Sequence, residues 1–115
     1  MSITIGLTPR AQPFVIVLTT FPVEGDADAF ARTLVTERLA ACVNVLPPMT
    51  SVYRWKGEIE QASERQLVIK TARSSLDRLK ARLTELHPYD VPEILVIQIA
   101  DGGEPYLKWL EESVD

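Results

Sequence analysis

Histidine and cysteine are almost missing from this chain, with 1 His and 1 Cys among 115 residues. The lone cysteine, Cys42, excludes an internal disulfide framework and suits a reducing cytoplasm, where the chain is expected to reside. One thiol and one imidazole cannot build a Cys/His zinc cage. Positive charge is also scarce. The 12 Lys and Arg stand against 16 Asp and Glu, a net charge of −4. That balance matches a phosphate backbone poorly, so no nucleic-acid partner is expected. Long apolar runs are absent too. Runs such as residues 14–18 and 94–97 fall far short of the ~20 residues that span a bilayer, so no membrane span is expected. The 5 glycines form neither a phosphate loop nor a dinucleotide fingerprint. There is no Gly-x-Ser-x-Gly elbow. No acid–base pair stands out, no catalytic residue is assigned, and no enzymatic activity is expected.

What the chain does have is 46% hydrophobic residues against 24% charged ones. That is enough for one compact domain and too short for two. Residues 1–13, with Pro9 and Pro13, read as a flexible tail, and 14–115 as the single domain. Residues 14–18 (Phe-Val-Ile-Val-Leu) read as a strand buried on both faces. Asp26 is a candidate N-cap for a helix. Its stripe is Ala27, Phe30, Ala31, Leu34, Val35 and Leu39.

Strand character resumes at 42–46, is interrupted by Pro47-Pro48, and continues over 51–55. Lys56-Gly57 predicts a tight turn into a second arm, 58–61 and 65–71. A two-residue turn pairs Trp55 with Glu58, Tyr53 with Glu60, Leu46 with Leu67 and Val43 with Lys70. A bulge at the prolines would shift the outer pairs by one. Ser74, with Asp77 as a capping-box partner, opens the next helix. Leu76, Leu79, Leu83 and Leu86 form its stripe. The helix ends at His87, because a residue before proline leaves the α region. Residues 94–99 form the last strand. Gly102-Gly103 precedes a short helix lined by Tyr106, Leu107 and Leu110.

The order βαββαβ, with a long hairpin between the second and third strands and a short C-terminal helix, predicts an α+β, ferredoxin-like sandwich. Two helices cover one face of such a sheet, yet its strands are apolar on both. The second face is therefore expected to be buried in an oligomer. Each hairpin arm has about 14 residues, roughly 45 Å if straight, against a radius of gyration of about 13 Å for a domain this size. A tip carrying Tyr53 and Trp55 would overhang its own domain and lie on a neighbour.

These residues resemble the CutA family of divalent-cation tolerance proteins. The likeness runs from about Phe14 to Leu110. It covers Leu39-Ala40-Ala41-Cys42-Val43-Asn44, the block from Ser51 to Glu60, and Leu67-Val68-Ile69-Lys70-Thr71. It continues in His87-Pro88-Tyr89-Asp90-Val91-Pro92-Glu93 and Tyr106-Leu107-Lys108-Trp109-Leu110. The resemblance implies a PII-like homotrimer linked to tolerance of copper and other divalent metals. Some copper-associated members carry Cys where Thr19 stands and His where Leu86 stands. Both are absent here, so at most part of such a site is kept.

The metal candidates are His87 and Cys42. Imidazole is a common ligand for copper, but His87 also suits a helix end, and Cys42 among apolar residues also suits simple packing. Trp55, Lys70, Tyr89 and Glu93 are the candidate ligand-binding residues. Packing competes for the aromatics, and an edge or snorkelling role for Lys70. The function expected is a trimeric binding or regulatory module in copper homeostasis. The alternative is a PII-like sensor of a small anionic metabolite, with Lys70 and Arg54 carrying affinity.

Overall fold

The structure, a computed structural model, describes residues 13–115. The expected tail lies outside the described residues except for Pro13, whose carbonyl accepts from the Arg73 N–H at 2.8 Å. The elements are β1 (Phe14–Pro22), α1 (Ala27–Thr36), β2 (Cys42–Val45), β3 (Met49–Trp55), β4 (Glu58–Ala72), α2 (Leu76–Leu86), β5 (Leu95–Gln98) and α3 (Glu104–Glu112). All pairings are antiparallel, in the order β2-β4-β1-β5, with β3 continuing along β4 beyond β2. Because β2 and β3 occupy one position, this is the ferredoxin-like order with an interrupted edge strand.

Helix α1 starts where expected, with the Ala29 N–H donating to Asp26 Oδ1 at 2.9 Å. It ends in a Schellman arrangement: Leu39 N–H bonds Leu34 O and Arg38 N–H bonds Val35 O. That closure puts Arg38 at φ 59, a position glycine usually takes. Helix α2 differs from expectation. Ser74 and Asp77 form no capping box. A turn of 3-10 helix, Arg73–Ser75, leads in, and the Ser75 hydroxyl instead donates to the Asp115 carbonyl at 2.5 Å. The helix stops at His87, whose extended backbone (ψ 138) precedes Pro88.

The hairpin turn is as expected. Lys56 and Gly57 both have positive φ, 51 and 83, which is the I′ geometry that follows strand twist. Trp55 faces Glu58 and Tyr53 faces Glu60. The outer pairs are shifted by one, so Val45, not Leu46, faces Leu67, and Val43 faces Ile69, not Lys70. One extra residue is absorbed at Leu46–Pro48, because Pro47 and Pro48 cannot donate to the ladder. The second arm has no break at 62–64. β4 runs unbroken for 15 residues, about 50 Å at the usual rise. It accounts for the longest dimension, 51 Å, and for a radius of gyration of 16.2 Å.

Both helices pack on one face. Val15, Val17, Phe21, Leu67 and Ile69 meet Phe30, Leu34, Leu76, Leu79 and Leu83 there. Val35, assigned to the α1 stripe, is exposed. On the opposite face α3 covers only one end, where Leu110 and Val114 pack on Phe14, Ala41 and Ala72. Tyr106, expected to line α3's inner side, is exposed. The rest of that face is open. Ile97 (48% exposed) and Leu95 (54%) flank Ile16 and Leu18 of β1, opposite Lys70 and Val68.

Candidate functional site

Alternation along the strands carries the open face outward onto the hairpin. Thr20 pairs with Gln66 and Pro22 with Glu64. Met49, Ser51, Tyr53 and Trp55 then continue on the same side as Glu64. The loop after α2 flanks this strip, and the two border an open cleft of about 1060 Å³. Its floor is Gln66, Glu64 and Ala62. One wall is the β3 side chains, and the other is residues 88–93.

Three side-chain links hold the loop. The Tyr89 hydroxyl donates to Glu64 Oε2 at 2.7 Å. Gln66 Nε2 donates to Glu93 Oε2 at 3.0 Å and to the Thr19 carbonyl at 2.7 Å. The Tyr89 N–H donates to His87 Nδ1 at 3.1 Å. That contact fixes the His87 tautomer, so Nε2 carries the proton and donates to the Thr20 carbonyl at 2.6 Å. This bond falls where β1 has run past the end of β5. Burial first, and then the Glu64 carboxylate, push the Tyr89 hydroxyl well above the ordinary phenol range.

That shift has a sign. The folded state resists ionising Tyr89, so its contribution to stability is complete below about pH 10, the unfolded value. It is lost as pH rises toward the raised folded value. Urea melts above pH 10 are therefore expected to show falling stability, and Tyr89→Phe to flatten that decline. An identical alkaline slope in Tyr89→Phe would assign the decline elsewhere.

The expected site residues are only partly gathered. Trp55, Tyr89 and Glu93 line one cleft. Lys70 lies farther along the sheet, with its ammonium 6.0 Å from the Tyr106 ring. Cys42 pairs with Lys70, away from the cleft. His87 lies behind the cleft, 7% exposed, against the Phe21 and Phe30 rings. Both of its nitrogens are engaged within the chain, so metal ligation would require breaking one of these bonds. Among the described residues no three His, Cys, Asp or Glu groups converge as metal ligands. The donors of one chain therefore do not fit a thiolate–imidazole copper cage. Glu64 and Gln66 were missed by sequence reading. Glu64 fell in the presumed break of the second arm, and extending the two-residue period through 62–66 would have found it.

The Thr19 hydroxyl is fully buried and has no hydrogen-bond partner among the described residues. No helix of the described residues is long and apolar enough to cross a membrane.

The profile of the CutA1 divalent ion tolerance protein family matches residues 15–113. The divalent-cation tolerance protein CutA of Thermus thermophilus is 49% identical over 98 residues, covering 85% of this chain and 95% of that one. The chloroplastic protein CutA of Arabidopsis thaliana is 38% identical over 112 residues, 97% of this chain and 62% of that one. A solved structure of the divalent cation tolerance protein from Thermus thermophilus superposes with a TM-score of 0.85 at 47% identity, covering 89% of this chain and 99% of that one. With the fold, the long hairpin and the matched span in agreement, this chain belongs to the CutA1 divalent-ion tolerance family.

Proposed function

We propose that this chain is a non-enzymatic binding module in cytoplasmic divalent-cation tolerance. Its open sheet face assembles a homotrimer, and its cleft receives a cationic ligand. The observation that carries the ligand reading is the charge of the cleft. Glu24, Glu64, Asp90 and Glu93 line it, and among the described residues no Lys or Arg does. Such a wall repels anions. The alternative, a sensor of an anionic metabolite, needs Lys70 and Arg54, and neither lines the cleft. For a divalent ion the donors offered are carboxylate oxygens. These suit a hydrated or oxygen-preferring cation better than copper held by sulfur and nitrogen.

The cleft and the open face are one surface of the sheet, so a neighbouring chain covering the apolar part reaches the cleft mouth. Melting curves with magnesium, manganese, zinc or copper chlorides, against ATP, citrate and phosphate, test the ligand class. A native-state ligand raises the melting temperature as its concentration exceeds its dissociation constant. Stabilisation by cations alone, weakened in Glu93→Gln, is the expected result. Stabilisation by the anions alone would reverse the assignment.

A further inference from the structure

We infer that Lys70 of one chain completes the cleft of the next, with its ammonium seated between Glu60 and Glu64 of that neighbour. This rests on reading the open face as the contact between copies, and it names the group that the covering copy contributes. The register of β4 is the first observation. Glu58 is paired with Trp55, Glu60 with Tyr53, Glu64 with Met49 and Lys70 with Ile16, so alternation puts all four charges on the open face. That face is acidic along the arm and basic at its inner end. Lys70 is the one Lys or Arg that the described strands place on it. Arg54 and Arg65 pair with Ile59 and Phe21, on the other face. The two ends cannot meet within a chain. Lys70 is six residues from Glu64, about 20 Å along the strand, beyond the reach of a lysine side chain.

Desolvation is the second observation. Lys70 stands in one cross-strand row with Ile16 and Ile97 and is already half-buried. Its ammonium has the Tyr106 ring at 6.0 Å, and no carboxylate among the described residues pairs with it. A copy laid over Ile16 and Ile97 strips Lys70 of water, and an ammonium buried without a countercharge is strongly destabilising. The covering copy must bring that countercharge. Glu64 has the opposite deficit. It is 7% exposed, and Tyr89 bonds one of its two oxygens. Between Glu60 and Glu64 stands Ala62, opposite Ser51, two small side chains that leave a gap in the floor. A lysine stem can lie over that gap while its ammonium reaches carboxylates on either side. Each chain then gives one lysine and receives one, the heterologous contact that closes into a ring. Four cleft carboxylates against one ammonium leave the site negative, so it still favours a cationic ligand.

Light scattering of the full chain against urea is the test, and the readout is the urea midpoint at which particle mass falls to 12.9 kDa. Lys70→Glu sets a carboxylate against the neighbour's acids. It is expected to lower the midpoint by about 1 M or more, or to give the single-chain mass without urea. Adding Glu60→Lys to the same chain restores an opposite-charge pair at every contact, and most of the wild-type midpoint is expected to return. Residues 60 and 70 stand about 33 Å apart on one strand, so this rescue cannot act within a chain. Glu60 lies on the exposed arm, and unchanged far-UV circular dichroism checks the fold of each variant. A wild-type midpoint for Lys70→Glu, or a double variant no better than Lys70→Glu, would overturn the inference. If the wild type then still measures three times the chain mass and Ile97→Lys dissociates it, the open-face contact survives and only the lysine seat falls. A wild type at the single-chain mass removes both.

Discussion

His87→Ala is expected to lower the free energy of unfolding by about 3–5 kcal/mol, read by urea denaturation with a chelator present. The imidazole fills the space between Phe21, Phe30 and Tyr89, with ring centroids 5.3, 6.0 and 4.9 Å away. Removing it leaves a cavity between two core aromatics and the cleft loop. It also strips the Thr20 carbonyl and the Tyr89 N–H of their partner. Each group left unpaired away from water costs about 1–3 kcal/mol. The chelator makes the experiment discriminating. A structural histidine is missed equally with and without metal. A metal ligand would be missed only when metal is supplied. Wild-type stability of His87→Ala in chelator would therefore return His87 to the ligand candidates.

A comparable effect is expected from Ile97→Lys, this time on assembly. Ile97 sits in the open sheet face opposite Ile16, roughly half exposed in the single chain. If a neighbouring chain covers this face, the lysine ammonium must be taken out of water beside apolar neighbours such as Ile16. An unpaired buried charge costs several kcal/mol per chain, enough to dissolve an oligomer at micromolar concentration. Light scattering should read three times 12.9 kDa for the wild type and the single-chain mass for Ile97→Lys, with unchanged secondary structure. A wild-type particle at the single-chain mass, or a variant still at three times it, would remove this face from the interface.

Most of the fold was legible because its signals are local. Asp26 before an apolar stripe, Pro88 after His87, and Lys56-Gly57 between two β-rich runs each act within a few residues. The shifted outer register depended on how Pro47 and Pro48 are accommodated, which spacing alone leaves open between two registers. The capping of α2 was misread because Arg73–Ser75 form a 3-10 turn that moves the N-cap from Ser74 to Ser75, whose hydroxyl is taken by Asp115, 40 residues away. No local pattern reports such a partner. The cleft was legible in part. Trp55, Tyr89 and Glu93 were named, but they meet only because β1, β4 and the loop after α2 converge. Lys70 was named with them because a cation inside an apolar strand needs a partner or a wet cavity. It lies four residues along β4 from Gln66, about 13 Å at the usual rise. His87 looked like a ligand because imidazole commonly is one. Its commitment to two backbone groups appears only in three dimensions.

The unbroken β4 strand has a mechanical meaning. Its inner half is clamped between β1 and β2, whereas its outer half is paired with β3 alone. The changeover coincides with the proline-interrupted stretch of the facing strand. From Glu64, the last residue paired with β1, to Glu58, at the turn, is six residues, a lever about 20 Å long. By simple proportion, a tilt of about 5° at that fulcrum carries Trp55 through about 2 Å, comparable to the difference between touching and missing a ligand. The opposing wall, pinned by Tyr89 and Glu93, stays with the globular part. Cleft width is thus governed by an angle, and whatever grips the far end of the arm adjusts the grip at the cleft.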